Sequence, residues 1–299
     1  MDIISVIIPS YNTKDITLTC LNSLDVLLRA DVNIGVSFEI YIVDNASQDG
    51  SAEAVHSFIL NKNNNRISYR IIPLPVNLGF SKANNVALKE VRGTYVLFLN
   101  SDVMVNEIDF KKLISYFDAS TNVAALTVKV SLADGRIDPA SHRGFPTIWR
   151  SFCYFSKLEY ILGKMPILNV FFGGYHLMDK NLKTIHEIDS PSGAFYLVRK
   201  SILDTTGGFD EKFFMYGEDL DLAYRIKEKN YSVIYYPGFE VVHLKYQSGL
   251  QKDKKVARAI KRHFYEAMEI FYKKHYEPKY NFVVNSLVYL LINLKEIFS

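Results

Sequence analysis

Cysteine is scarce: Cys20 and Cys153 are the only two in 299 residues. That excludes a disulfide framework and any zinc site built on thiolates, and a chain of this length buries enough surface to fold without either. Neither a Gly-x-Gly-x-x-Gly loop nor a Gly-Lys-Ser/Thr loop follows any apolar run, so binding of phosphate through the backbone amides of such loops is unsupported. Net charge is also small, +3, and nothing in the bulk composition points to nucleic acid. The first apolar run, residues 3–8, lacks a basic leader and stops at Pro9, so it reads as a buried strand rather than a signal peptide. Residues 280–298 are apolar for nearly a bilayer's width, but Asn281, Asn285, Asn293, Lys295 and Glu296 argue against a lipid-facing crossing. A cytoplasmic location with reduced thiols is the expectation.

What is present is a folding composition, 48% hydrophobic and 22% charged, on a length that suits about one to two domains. The first half alternates strand and helix. Strands are expected at 3–8, 38–43, 67–72 and 95–99, and helices at 13–28, 52–60 and 81–89. Apolar strands in a βαβ rhythm imply a parallel sheet covered on both faces. Ligands of such sheets sit beyond the carboxyl ends of the strands. The informative residues are therefore Pro9-Ser-Tyr-Asn12 after the first strand, Asp44-Asn-Ala-Ser47 after the second, and Asn100-Ser-Asp102 after the fourth. Singly, each is an ordinary turn or cap; three polar ends on one sheet edge point to a ligand site. A nucleotide there would need a counter-charge for its phosphates. Mg²⁺ or Mn²⁺ held by Asp102 would supply one, since these ions favour few carboxylates plus phosphate oxygens.

Beyond residue 130 the rhythm breaks. Residues 145–175 hold nine aromatics in 31 positions, which suits either a helical layer on the core or an acceptor platform for sugar rings and lipid tails. A strand is expected over 192–198. Gly217 followed by Glu218 and Asp219 marks a helix start, where acids are favoured and one carboxylate could serve as a base in a cleft. Asp221 and Arg225 are spaced to pair on that helix's surface. His243 ends a short strand at 239–242 and is either structural or a further metal ligand beside Asp102. None of the other six histidines sits in a comparable context.

The charge is uneven. Residues 252–279 hold nine Lys/Arg against four acids, a net +5, which leaves −2 for the rest. Ile260, Phe264, Met268 and Phe271 make this an amphipathic helix with a basic face. Val284, Leu287, Leu291, Leu294 and Phe298 form a second apolar stripe. Such a pair suits an anionic membrane surface, a homodimer contact, or packing on the body of the protein.

The residues resemble the family 2 glycosyltransferases of GT-A fold, in the branch that includes bacterial rhamnosyltransferases of surface-polysaccharide assembly. The resemblance rests on Ser5-Val-Ile-Ile-Pro-Ser-Tyr-Asn12, Val43-Asp-Asn-Ala-Ser-Gln-Asp-Gly-Ser51, Asn77-Leu-Gly-Phe-Ser-Lys-Ala-Asn-Asn85 and Leu97-Phe-Leu-Asn-Ser-Asp102. It continues through Gly207-Gly-Phe-Asp-Glu211, Gly217-Glu-Asp-Leu-Asp-Leu-Ala-Tyr-Arg225 and His243. It implies a Rossmann-like, mostly parallel α/β sheet with helices on both faces and a C-terminal helical segment. The catalytic domain would be residues 1–250, with donor and acceptor halves at 1–105 and 106–250, and the basic helices 251–299.

The implied reaction is inverting transfer from a UDP- or dTDP-sugar to a saccharide or lipid-linked acceptor. Pro9, Tyr11, Asn12 and Asp44 would lie by the nucleotide base, and Asn77, Lys82, Asn100 and Ser101 near the donor. Asp102 and His243 would hold the metal, Asp219 would be the base, and Glu218 would position the acceptor. Asn100 departs from the family's Asp-x-Asp. A lipid-linked acceptor would put the enzyme at the inner face of the plasma membrane. Two alternatives stay open: a nucleotidyltransferase on a similar scaffold, for which Lys14 is the one basic candidate, and a non-catalytic nucleotide-sugar or saccharide binder.

Overall fold

The computed structural model describes residues 2–245 and 254–298. Lys252 and Asp253 of the basic stretch lie outside the described residues. Four β-branched runs open the fold: β1 (Ile3–Ser10), β2 (Ser37–Asp44), β3 (Ile67–Pro73) and β4 (Tyr95–Leu99) lie parallel in the order β3-β2-β1-β4. The interiors of β1 and β2 are buried residue after residue, as a sheet covered on both faces requires. Helices α1 (Lys14–Arg29), α2 (Ser51–Ile59) and α3 (Gly79–Leu88) make the crossovers, and all seven elements fall within two residues of their expected bounds.

The second half turns the sheet mixed. It comprises β5 (Val103–Glu107), α4 (Phe110–Ala119), β6 (Val123–Leu132), the short helices α5 (Ile148–Phe155), α6 (Leu158–Leu162) and α7 (Leu168–Phe172), then β7 (His186–Ile188), β8 (Phe195–Arg199), α8 (Lys200–Thr206), α9 (Glu218–Glu228) and β9 (Ser232–His243). The sheet order continues β4-β8-β6-β9-β5, with β7 also on β9. β8 runs antiparallel to both β4 and β6, while β9 is parallel to β6 and antiparallel to β5 and β7. The parallel sheet of the first half stands as expected; the later strands add antiparallel pairings the alternating pattern did not contain. β9 is 12 residues long rather than the four expected, because pairing with β6 carries it through Pro237 and Gly238 with a register shift.

The core lies on both faces of the sheet, with α1 and α4 over one and α3, α8 and α9 over the other. Gly79 joins α3 to the loop before α9: its φ is +80°, and a Cβ there would sit 2.5 Å from the Phe214 carbonyl oxygen. That contact lets Phe80 N donate to Phe214 O at 2.7 Å.

α10 (Lys254–His275) and α11 (Phe282–Phe298) follow. α10 and the turn after it pack on the body of the protein through Ala267, Phe271, Tyr272 and Tyr276 against Phe213 and Leu220. Of the stripe expected on it, Phe271 is buried but Phe264 is exposed, since the packed face is rotated toward Tyr265 and Ala267. On α11 the expected stripe is the outer one: Leu287, Leu291, Leu294 and Phe298 face solvent while Ile292 is buried. The helix is apolar on both sides, so periodicity alone does not choose its packed face. The aromatic segment 145–175 forms a lobe of short helices rather than a closed layer on the core. Phe145 and Ile148 pack toward α9 and α10, whereas Trp149, Phe152 and Phe171 stay exposed.

Candidate active site

The nucleotide-side residues are placed by strand register. Parallel pairing of β1 with β2 sets Pro9 against Val43 and Ser10 against Asp44, so the two polar ends meet. Asp44 Oδ2 accepts from Ser47 N at 3.1 Å, whereas Asp44 Oδ1 and Ser10 Oγ are buried with no hydrogen-bond partner among the described residues. Tyr11 is 39% exposed beside them. Asn12, at φ 51°, serves the loop: its N–H donates to Ser47 Oγ, and its Oδ1 accepts from Gln48 N. Asn77 is likewise a loop clamp, with Oδ1 accepting from Asn45 Nδ2 and from Gly79 N at 2.9 Å each. Lys82 is exposed on α3.

Asn100, Ser101 and Asp102 lie between β4 and β5. Asn100 Oδ1 is buried and unpartnered, and a Cβ on Gly193 would lie 3.4 Å from it, so the turn before β8 passes directly alongside. Antiparallel pairing of β5 with β9 sets Val103 opposite His243. That register brings His243 Nε2 to 3.1 Å from Asp102 Oδ1, while His243 Nδ1 lies 2.7 Å from Asp138 Oδ2. Burial disfavours the charged imidazole, but hydrogen bonds to Asp102 and Asp138 more than offset it and push its pKa up to about 9. Burial would raise Asp138, yet the His243 hydrogen bond and the Lys245 charge lower it to about 2.

A carboxylate behind one ring nitrogen is how metal-ligating histidines are oriented, so the arrangement fits a divalent ion at Asp102 and His243 Nε2. Two protein ligands leave positions for phosphate oxygens, in keeping with Mg²⁺ or Mn²⁺. Among the described residues, no three His, Cys, Asp or Glu converge as a complete protein cage.

Glu218 and Asp219 open α9, with Gly217 at φ +78° as the N-cap. Asp219 Oδ2 accepts from Arg143 Nη2 at 2.7 Å, and its Oδ1 from Leu220 N at 2.7 Å. Arg143 is anchored further by Pro191 O at 2.8 Å. Glu218 Oε2 is buried with no partner among the described residues. Burial first, and the adjacent Asp219 charge second, raise the proton affinity of Glu218 well above the usual carboxylate range.

Two residues that contact the expected site residues are invisible in the sequence reading. Asp138 reads as an ordinary turn acid before Pro139, and Arg143 as a lone loop cation. They lie five residues apart, so one segment backs His243 and grips Asp219 at once. Two other expectations are corrected. Asp221 pairs with Arg225 at 2.8 Å, but it is fully buried, not on a surface, and is also held by Lys274 and His275 from α10. His142 and His186 do form a special context, with Nε2 atoms 2.6 Å apart. Burial and the neighbouring ring lower His142 to about 4, so the pair is uncharged at neutral pH.

A family model described as Glycosyl transferase family 2 matches residues 5–183. The chain is 27% identical over 220 residues to N-acetylglucosaminyl-diphospho-decaprenol L-rhamnosyltransferase of Mycobacterium tuberculosis, covering 70% of this chain and 67% of that one. It is 26% identical over 269 residues to poly(ribitol-phosphate) beta-N-acetylglucosaminyltransferase TarS of Staphylococcus aureus, covering 87% of this chain but only 44% of TarS. The crystal structure of TarS 1–349 with UDP shares the fold at a TM-score of 0.52 and 21% identity, over 88% of this chain and 65% of that one. The mannosyltransferase PcManGT of Pyrobaculum calidifontis, solved with GDP-Man and Mn²⁺, does so at 0.58 and 17%, over 89% and 64%.

Proposed function

The chain belongs to glycosyl transferase family 2, and from that membership we propose that it is an inverting, metal-dependent glycosyltransferase of surface-polysaccharide assembly. It moves a sugar from a UDP- or dTDP-sugar to a saccharide or lipid-linked saccharide acceptor. The observation that carries this reading is the segment bearing Asp138 and Arg143, which contacts His243 of the Asp102–His243 pair and, five residues on, the Asp219 carboxylate. The UDP complex of TarS and the GDP-Man and Mn²⁺ complex of PcManGT, on the same fold, support it.

Ser10 Oγ and Asp44 Oδ1, buried side by side without partners, are suited to hydrogen-bond the imide edge of a pyrimidine base, with Tyr11 flanking it. Asn12 and Asn77 keep the loops beside these residues, and Lys82, exposed on the first turn of α3, is a cation on the donor side. Asn100 and Ser101 would flank the diphosphate, and Asp102 and His243 would hold a divalent ion. A bound divalent ion would stabilise the charge developing on the leaving diphosphate. Arg143 holds the Asp219 carboxylate in one orientation; Asp219 takes the proton of the acceptor hydroxyl as that oxygen attacks the anomeric carbon, a contribution of ~10²–10⁴ in rate. Glu218, beside it with its Oε2 unpartnered among the described residues, orients the acceptor. A single displacement inverts the anomeric centre, unlike hydrolases that work with two carboxylates flanking the bond.

A lipid-linked acceptor would bring the enzyme to the inner face of a cytoplasmic membrane. The test is Asp219→Asn: transfer is lost while UDP or dTDP still binds, and wild-type product carries the inverted linkage by NMR. Normal transfer by the variant removes the base assignment, and a retained linkage removes the single displacement.

A further inference from the structure

Trp149, the one tryptophan of the chain, stands half exposed on α5. Its ring stacks on Phe152 at 5.7 Å and its Nε1 donates to Phe171 O at 2.9 Å, so three aromatics are held as a unit while 50%, 52% and 62% exposed. Ile167, on the same lobe, is 78% exposed. Exposed apolar residues scattered singly need no explanation; a rigid cluster does.

α11 presents a second such face. Val283, Leu287, Leu290, Leu294 and Ile297 recur at helical spacing and are 40–72% exposed. The opposite face supplies the packing, through Val288, Tyr289 and Ile292. The two elements come together, because Lys295 Nζ of α11 lies 5.6 Å from the Phe155 ring centroid on α5.

Their surroundings are basic. Residues 145–185 hold Arg150, Lys157, Lys164, Lys180 and Lys183 against Glu159 and Asp179, and Arg150 is itself ion-paired with Asp189 at 2.7 Å. Glu159 is buried on His176, and Asp179 is paired with Lys180 at 3.2 Å. A groove between α10 and the end of α11 is lined by Arg258, Lys261, Arg262 and Glu296. Two copies meeting through this face would set cation against cation, which opposes self-association. Among the described residues no helix is long and apolar enough to cross a membrane. An apolar, aromatic surface with a cationic rim is what lies in an anionic lipid interface.

We propose that the α5–α7 lobe and the outer face of α11 form one docking surface for an anionic lipid bilayer. The lobe reaches the catalytic side directly: Gly144 N donates to Tyr175 O at 2.8 Å, next to the Arg143 that holds Asp219. The surface thus lies beside the acceptor half of the site. It stands on exposure and charge alone, so it holds or fails independently of the sugar-transfer reading.

Trp149 is a built-in reporter. The full chain is titrated with phosphatidylcholine vesicles with and without phosphatidylglycerol, and with vesicles whose acyl chains are brominated. The expected result is a blue shift of Trp149 emission with the anionic vesicles, quenching by the brominated chains, and affinity more than ~10-fold above that for pure phosphatidylcholine. Leu287→Asp with Leu290→Asp, both exposed, should weaken vesicle binding with the fold intact by circular dichroism. Emission unchanged by anionic vesicles overturns the proposal. So does a shift that follows protein concentration without lipid, which would assign the face to a second copy.

Discussion

Arg143 Nη2 lies 2.7 Å from Asp219 Oδ2, with each side chain only 10% exposed, across 76 residues of sequence. A buried pair of this kind is costly to break from one side, because the surviving charge keeps its desolvation without its partner. The pair also fixes which way the Asp219 carboxylate faces, so the same contact bears on stability and on rate.

Arg143→Met is therefore expected to destabilise the fold by about 3–5 kcal/mol, read as a fall in the urea or thermal midpoint. Arg143→Lys is the more informative variant. It keeps the charge but not the reach and flat geometry of the guanidinium, whose Nη2 alone donates to both Asp219 Oδ2 and Pro191 O. A fall in kcat of ~10² or more with an unchanged KM for donor is expected; a loss confined to KM would contradict a positioning role.

Glu218 gives a pH signature. Its proton affinity in the folded chain is raised, chiefly by burial and then by Asp219. The folded state then binds more protons than the unfolded one above the ordinary carboxylate range, so stability falls as pH rises toward neutrality. Glu218→Gln should raise the thermal midpoint at neutral pH and flatten that slope, with transfer impaired. A variant less stable at neutral pH, with the slope kept, would contradict the burial of an unpartnered carboxylate.

Asp221 has the opposite sign. Although burial opposes its ionisation, the His275 hydrogen bond and the Arg225 and Lys274 charges lower its pKa from 3.8 to about 2. Its contribution is present above about pH 4 and is lost as pH falls through about 2. Asp221→Ala strands the cations that tie α10 to α9 and should cost about 3–5 kcal/mol, with α10 more open to limited proteolysis. Unchanged protease resistance would show that the aromatic contacts of Phe271 and Tyr276 suffice.

The donor half was legible because its signals are local. Apolar runs bounded by Pro9, Asp44 and Asn100 mark strand ends, and all seven elements expected up to residue 99 follow within two residues. The second half is held by contacts between distant segments: Asp138 with His243 across 105 residues, and His142 with His186 across 44. No spacing rule reaches that far. Asp221 shows the same limit, since its pairing with Arg225 was readable at four residues' spacing, whereas its burial depends on His275, 54 residues on. In β9, Pro237 and Gly238 interrupt the apolar pattern, and only the β6 pairing reveals one continuous strand.

The most direct measurement is nucleotide release from a panel of UDP- and dTDP-sugars, with saccharide acceptors, in the presence and absence of Mn²⁺ or Mg²⁺. Acceptor-dependent release of one nucleotide is predicted for the wild type with metal, lost on chelation and restored on adding the ion, and abolished in Asp102→Ala at unchanged fold. Release that is indifferent to metal and survives Asp102→Ala would contradict the assignment of Asp102 and His243. Tight nucleotide binding without release from any donor would make the chain a binder rather than a transferase.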